Sequence, residues 1–151
     1  MGVIVIGLPH HTPSFVFHKG DFTMAKPLVL VVDDEITTRR LVAFTLKPLD
    51  IEVLGANDGI AALELVRERT PNLIIIDINL PGMDGFALME QLGALPQLRD
   101  VPLVAYTARN VPDDAARARR LGARGFLFKP FSTSELRGLV NQHLGLESND
   151  A

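Results

Sequence analysis

The sequence contains no cysteine, which excludes a disulfide framework and a thiolate metal site. It also has no apolar run that approaches the roughly 18 residues of a membrane-spanning helix. No segment combines the positive start, long apolar core and cleavage site of a secretory signal. The formal net charge of −3 leaves no basic excess to indicate nucleic-acid binding. We therefore expect a cytoplasmic protein that binds neither a membrane nor nucleic acid directly.

What the sequence does contain fits an ordinary globular domain. Its 151 residues are 47% hydrophobic and 22% charged, and a domain of roughly 150 residues buries about 70% of the surface of its unfolded chain. Met24 looks like a fresh start, so we predict one domain over residues 24–146. Residues 1–23 are then an extension outside this domain, and residues 147–151 are a flexible tail.

The extension has two short strand-like runs, at residues 3–6 and 14–17, with a loop between them. Two adjacent histidines in that loop, His10 and His11, fit a solvated pair better than a metal site, which needs more convergent ligands. The first run could add to a sheet edge or exchange between copies. We expect a monomer or a weak dimer.

From Lys26 onward the sequence alternates between strand and helix patterns. Short apolar runs predict buried strands at residues 28–32, 51–56, 73–76, 101–106 and 125–128. Helical spacing follows each strand, first through Ile36, Arg40, Leu41, Phe44 and Thr45, and last through Leu136, Leu139, Val140 and Leu144. This alternation predicts an α/β fold with a doubly wound, five-stranded parallel sheet and five helices, of the flavodoxin type. Counted from residue 24, the expected strand order is 2-1-3-4-5.

Acidic residues follow two of the predicted strands. Asp33 and Asp34 come after the first strand, and Asp77 comes after the third. In the order 2-1-3-4-5 these strands are neighbours, so the carboxylates meet at the edge where open α/β sheets bind ligands. Carboxylates this close repel one another, and a hard cation such as Mg²⁺ or Mn²⁺ resolves the repulsion. Taken singly, each acid also fits a helix cap or a solvated turn.

Two further polar residues fall on the same edge of the sheet. Thr107 follows the fourth strand and Lys129 follows the fifth. Each alone fits a turn hydroxyl or a solvated charge. Together they offer the hydroxyl and the ammonium that an anion beside Asp77 would need.

These residues carry a resemblance to a known family. The sequence is similar to the receiver domains of bacterial response regulators, of the chemotaxis-regulator type, from about residue 27 to residue 144. The matching pieces are VVDDE at 31–35, IIDINLPGMDG at 75–85, YTA at 106–108 and FLFKPF at 126–131.

The resemblance implies roles for the site residues. Asp77 would be the phosphoacceptor, and Mg²⁺ would be held by Asp33, more directly by Asp34, by Asp77 and by the backbone carbonyl of Asn79. The phosphoryl oxygens would be bound by Thr107 and Lys129 and by the backbone N–H groups of Asn79 and Ala108.

The resemblance also implies residues that tune or transmit the signal. Phe126 would be the switch aromatic that turns inward when Thr107 moves, although its position also fits plain core. Asn79 and Arg109 would tune the loss of the phosphate, although Arg109 also fits a solvated arginine. The Lys129–Pro130 peptide bond would be cis, which proline permits.

The implied function is that of a phosphoacceptor in a two-component or phosphorelay system. A sensor histidine kinase or phosphotransfer protein would donate the phosphoryl group, and the protein would catalyse only its own phosphorylation and dephosphorylation. The fourth helix, fifth strand and fifth helix would then present a changed face to a downstream protein partner. Because the chain ends soon after the last helix, we expect a single-domain form. Arg117, Arg120 and Arg124 fit either a basic output surface or a solvated face.

Two other functions remain open from the residues alone. A phosphatase of the haloacid-dehalogenase type also uses an aspartate nucleophile, but it wants a second acid two residues later, where this sequence has Asn79. An interaction module that works without phosphorylation would not need the intact set of acids, threonine and lysine.

Overall fold

A computed structural model of the chain describes residues 4–6, 15–18, 21–108 and 111–146. The first three strands form an antiparallel sheet, in which β1 (Ile4–Ile6) pairs with β2 (Phe15–His18) and β2 pairs with β3 (Asp21–Met24). The sequence predicts strands close to β1 and β2 but not β3. The division between an extension and a domain at residue 24 stays a prediction, as does the tail, which lies outside the described residues.

The second sheet has five parallel strands and confirms the predicted architecture. Its strands are β4 (Leu28–Val32), β5 (Glu52–Ala56), β6 (Leu73–Asp77), β7 (Leu103–Thr107) and β8 (Gly125–Phe128). They lie in the order β5-β4-β6-β7-β8, which is 2-1-3-4-5 counted from residue 24. Every residue of β4, β6 and β7 is buried, as the continuous apolar runs of a covered parallel sheet require.

Five helices cover the two faces of this sheet. They are α1 (Ile36–Leu46), α2 (Gly59–Glu68), α3 (Gly85–Gly93), α4 (Pro112–Arg120) and α5 (Thr133–Leu144). Helices α2, α3 and α4 pack on one face with Leu30 and Ile74, while α1 and α5 pack on the other with Val31 and Ile75. In the part of the chain that the structure describes, no helix is long and apolar enough to cross a membrane.

The last helix begins at a side-chain cap. The Ser132 Oγ accepts a hydrogen bond from the Glu135 N–H at 3.0 Å, and the Glu135 side chain accepts one from the Ser132 N–H at 3.4 Å. This reciprocal capping box satisfies two N–H groups at the start of α5. It therefore fixes the chain direction just after the last strand, where Lys129 lies.

The apolar residues of the predicted spacing in α1 do not mark its buried face. Ile36, Leu41 and Phe44 are 50%, 51% and 76% exposed, whereas Val42 and Leu46 are fully buried. The helix has apolar residues on both sides, so periodicity alone selects the wrong side. The choice is made by the sheet, because Val42 and Leu46 belong to the core that side chains of β4, β6 and α5 form on this face.

This orientation of α1 gives a stability prediction with a matched pair of substitutions. Leu46→Ala is expected to lower the free energy of unfolding by about 2–5 kcal/mol, because it leaves a cavity in the core. Leu41→Ala removes the same atoms from a half-exposed position and is expected to cost less than about 1 kcal/mol. Urea unfolding of both variants measures the difference. Equal losses would contradict the packing of α1.

Candidate functional site

Four neighbouring strands bring polar side chains to one edge of the parallel sheet. Asp33 directly follows β4, Asp77 ends β6, Thr107 ends β7 and Lys129 directly follows β8. The strand register aligns these ends, since Asp77 lies opposite Tyr106 and Thr107 lies opposite the last residue of β8. The structure therefore brings the strand ends that carry Asp33, Asp77, Thr107 and Lys129 to the same edge of the sheet.

Lys129 lies between the two aspartates. Its Nζ is 2.7 Å from the Asp33 Oδ2 and 2.9 Å from the Asp77 Oδ2. Burial works to lower the pKa of Lys129, but the hydrogen bonds to Asp33 and Asp77 outweigh it and the pKa is raised. The ammonium therefore stays charged and offsets the repulsion between two carboxylates that are almost completely buried.

The Asp77 carboxylate is held at both of its oxygens. Its Oδ1 accepts a hydrogen bond from the Asn79 N–H at 2.9 Å, and its Oδ2 accepts the one from Lys129. The two hydrogen bonds hold the carboxylate in a fixed orientation, and the Lys129 ammonium places a positive charge beside it. An ionised carboxylate with a neighbouring ammonium is a competent nucleophile toward an electrophile that carries anionic oxygens.

Asp33 also belongs to a group of three acids at the end of β4. Carboxylate oxygens of Asp33, Asp34 and Glu35 lie within 4.8 Å of one another, and Asp34 and Glu35 are exposed. Oxygen donors at this spacing fit a hard divalent cation such as Mg²⁺ or Mn²⁺. The sequence predicts Asp33 and Asp34 as ligands but does not predict Glu35. Asp77 is not a member of this group, so its role as a ligand, like that of the Asn79 carbonyl, stays a prediction.

The Asn79 side chain makes a contact that sequence reasoning missed. Its Nδ2 donates a hydrogen bond to the Thr107 Oγ1 at 2.6 Å. This bond holds the threonine hydroxyl, which is fully buried, beside the turn that follows Asp77. The sequence position of Asn79 could have predicted this contact, because Asn79 stands two residues beyond the end of β6, on the same edge of the sheet as Thr107.

Tyr106 is a site residue that sequence reasoning also missed. Its hydroxyl donates a hydrogen bond to the Asp33 Oδ2, and the Lys129 Nζ lies 4.5 Å from the centre of its ring. Burial and the hydrogen bond to Asp33 raise the pKa of Tyr106, so the hydroxyl keeps its proton. A buried tyrosine hydroxyl needs a polar partner, and a tyrosine next to Thr107 in an otherwise apolar strand was the available signal.

The remaining predicted residues surround this centre. Ala108 is exposed directly after β7. Phe126 is half-buried, packs against the core and has its ring centre 5.1 Å from that of Phe128. The Lys129–Pro130 peptide bond is cis, which confirms that prediction. Arg109, His10 and His11 lie outside the described residues, so the predictions made for them stay predictions.

Comparisons with known protein families and sequences match this chain to one type of domain. The family profile described as "Response regulator receiver domain" matches residues 29–141. Protein PilG of Pseudomonas aeruginosa is 32% identical over 116 residues, which cover 77% of this chain and 86% of that protein. The sensor histidine kinase CheAY of Helicobacter pylori is 31% identical over 126 residues, but these cover 82% of this chain and only 16% of that protein. The chain also spans only 49% of a probable transcriptional regulator, ycf27, from Porphyridium aerugineum.

Solved structures agree with this result. The chemotaxis response regulator CheY4 of Vibrio cholerae matches with a TM-score of 0.75 at 32% identity, over 80% of this chain and all of that one. A response regulator from Chloroflexus aurantiacus matches with a TM-score of 0.76 at 29% identity, over 80% of this chain and 99% of that one.

Proposed function

Because this chain belongs to the response regulator receiver domains of two-component signalling, we propose that Asp77 accepts a phosphoryl group in a reaction that requires Mg²⁺ or Mn²⁺. The donor is a sensor histidine kinase or a phosphotransfer protein. The observation that carries the proposal is the arrangement of Asp77, whose carboxylate is bonded by the Lys129 ammonium and the Asn79 N–H at the carboxyl edge of the sheet.

The proposed reaction is the transfer of a phosphoryl group from a donor histidine. An Asp77 carboxylate oxygen forms a bond to phosphorus while the phosphorus–nitrogen bond of the phosphohistidine breaks, and the electron pair of that bond stays on the imidazole. Such transfers depend on positioning and charge neutralisation more than on covalent help. Lys129 supplies a positive charge to the transferred group, and the Thr107 hydroxyl and the N–H groups of Asn79 and Ala108 supply hydrogen bonds.

The divalent ion has a place in the proposal because the acidic group fits it. The proposed ligands are Asp33, Asp34, Asp77 and the Asn79 carbonyl. Glu35 is added as a candidate ligand because its carboxylate lies within 4.8 Å of those of Asp33 and Asp34. When bound, the ion neutralises charge on the phosphoryl oxygens.

The phosphorylated carboxyl group would change the surface through Thr107. It carries roughly one further negative charge and additional acceptor oxygens, which attract the O–H of Thr107, whose oxygen accepts the hydrogen bond from the Asn79 Nδ2. Phe126 then repacks, and the face of α4, β8 and α5 changes for a protein partner. Arg117 of α4 lies over the Phe86 ring, with its guanidinium carbon 4.2 Å from the ring centre. This arginine therefore packs against α3 and is not simply a solvated charge.

The remaining parts of the proposal concern the protein as a whole. It acts in the cytoplasm as a monomer or weak dimer, without direct contact to nucleic acid. Its catalysis is limited to its own phosphorylation and dephosphorylation. Residues 24–146 are the receiver domain and residues 1–23 are an extension to it.

Intact-mass analysis tests the proposal. After incubation with acetyl phosphate and Mg²⁺, the protein is expected to gain the mass of one phosphoryl group, which is then lost by hydrolysis. The same incubation with EDTA is expected to give no gain, because the charge on the phosphoryl group is no longer neutralised. A folded sample that never gains this mass from acetyl phosphate, phosphoramidate or a phosphorylated kinase would overturn the proposal.

Two measurements separate the proposal from its rivals. Steady turnover of a generic phosphate ester would favour a phosphatase, although Asn79 stands where that class wants an acid. Binding of a partner protein with equal affinity before and after phosphorylation would favour an interaction module that works without it.

A further inference from the structure

One oxygen in the site has two donors. The Asp33 Oδ2 accepts hydrogen bonds from the Tyr106 hydroxyl and from the Lys129 Nζ. Asp33 is fully buried, and its other oxygen accepts the Glu35 N–H at 2.8 Å. Lys129 in turn shares its ammonium between Asp33 and Asp77.

This sharing creates a difficulty for the proposed function, on which the inference rests. A phosphoryl group on Asp77 adds anionic oxygens that attract Lys129 away from Asp33. A buried carboxylate oxygen that loses its donor pays a desolvation penalty. A second donor that stays in place removes most of this penalty.

We propose that Tyr106 is a positioning residue that frees Lys129 to move from Asp33 to the phosphoryl group on Asp77. Its hydroxyl keeps the Asp33 Oδ2 hydrogen-bonded when the ammonium leaves. Without that hydroxyl, Lys129 is the remaining donor to this oxygen among the described residues, and its departure becomes costly.

The position of Tyr106 supports this role. The residue is fully buried in the middle of the site, and its backbone carbonyl accepts a hydrogen bond from the Ile78 N–H at 3.1 Å. The Phe131 ring packs against its ring, with 6.0 Å between the centres. Neither the backbone hydrogen bond nor the Phe131 contact involves Lys129, so both keep Tyr106 in place and its hydroxyl at Asp33 when the ammonium moves.

Binding of beryllofluoride, a phosphoryl analogue, tests the proposal with Tyr106→Phe. This variant keeps the ring and removes only the hydroxyl. We expect its affinity for beryllofluoride, measured by fluorine NMR with Mg²⁺ present, to fall about tenfold, since an unmade bond to a buried charge is of that order. Thr45→Val is the matched control, because it removes a buried hydroxyl from α1, and its affinity is expected to equal that of the wild type.

The outcomes are distinct. A Tyr106→Phe protein that loses stability but binds beryllofluoride within twofold of the wild type would show a structural role only and overturn the inference. The proposed function would survive that result, because it depends on the wild type. A wild type that neither binds beryllofluoride nor takes up a phosphoryl group would overturn both.

A second measurement does not depend on the variant. The protein has one tyrosine and no tryptophan, so ultraviolet Raman bands of tyrosine report on Tyr106 alone. On addition of beryllofluoride and Mg²⁺, we expect these bands to shift as the ammonium leaves the ring while the hydroxyl remains a strong hydrogen-bond donor. Loss of the donor signature on binding would overturn the proposal.

Discussion

Asparagine in place of Asp77 is expected to abolish phosphoryl uptake, with no gain of mass from acetyl phosphate and Mg²⁺. The amide has no anionic oxygen to attack phosphorus. The fold is expected to survive, because the amide oxygen is nearly isosteric and can still accept a hydrogen bond from the Asn79 N–H or the Lys129 ammonium. Intact-mass analysis and circular dichroism measure the two expectations.

A matched control for this substitution is Asp50→Asn. Asp50 is an exposed aspartate that pairs with Lys26 at 3.2 Å, and its φ of +57° is one that asparagine also tolerates. Its mass gain is expected to equal that of the wild type. If Asp77→Asn gains the phosphoryl mass, peptide mapping locates the acceptor, and a site other than residue 77 would refute the assignment.

Alanine in place of Gly85 is expected to destabilise the protein by about 3 kcal/mol or more, because it overpacks the site against backbone that has no room to move. A Cβ at this position would lie 2.4 Å from the Ile78 Cα and 2.6 Å from the Asp77 carbonyl oxygen. The turn after β6 must therefore shift, and with it the Asp77 carboxylate. Urea unfolding measures the loss of stability, and intact-mass analysis is expected to show slower phosphoryl uptake in the fraction that folds.

Gly138→Ala provides the opposite expectation. Gly138 lies inside α5, and a Cβ there would meet no atom within 4 Å. Alanine is expected to stabilise the protein by roughly 0.5–1 kcal/mol through helix propensity. If the two glycine variants unfold at the same urea concentration, the close approach of Gly85 to the backbone of Asp77 and Ile78 would be refuted.

Much of the fold could be predicted because its signals are local. The apolar runs of β4, β6 and β7 are long enough to specify buried parallel strands, and the cap at Ser132 follows from four consecutive positions. The buried side of α1 was not predictable in this way, because Leu41 and Leu46 are identical residues whose burial depends on what the sheet places beside them.

The functional site likewise has features that the sequence predicts and features that depend on the tertiary structure. The sequence by itself determined that acids, a threonine and a lysine end neighbouring strands, because parallel strands in the order 2-1-3-4-5 bring their carboxyl ends together. Only the tertiary structure decided which of them bond to which. The bond between Lys129 and Asp33 joins residues 96 positions apart, and the one between Tyr106 and Asp33 joins residues 73 apart. Contacts at such separations depend on how the strands pack, and that packing is a property of the whole chain.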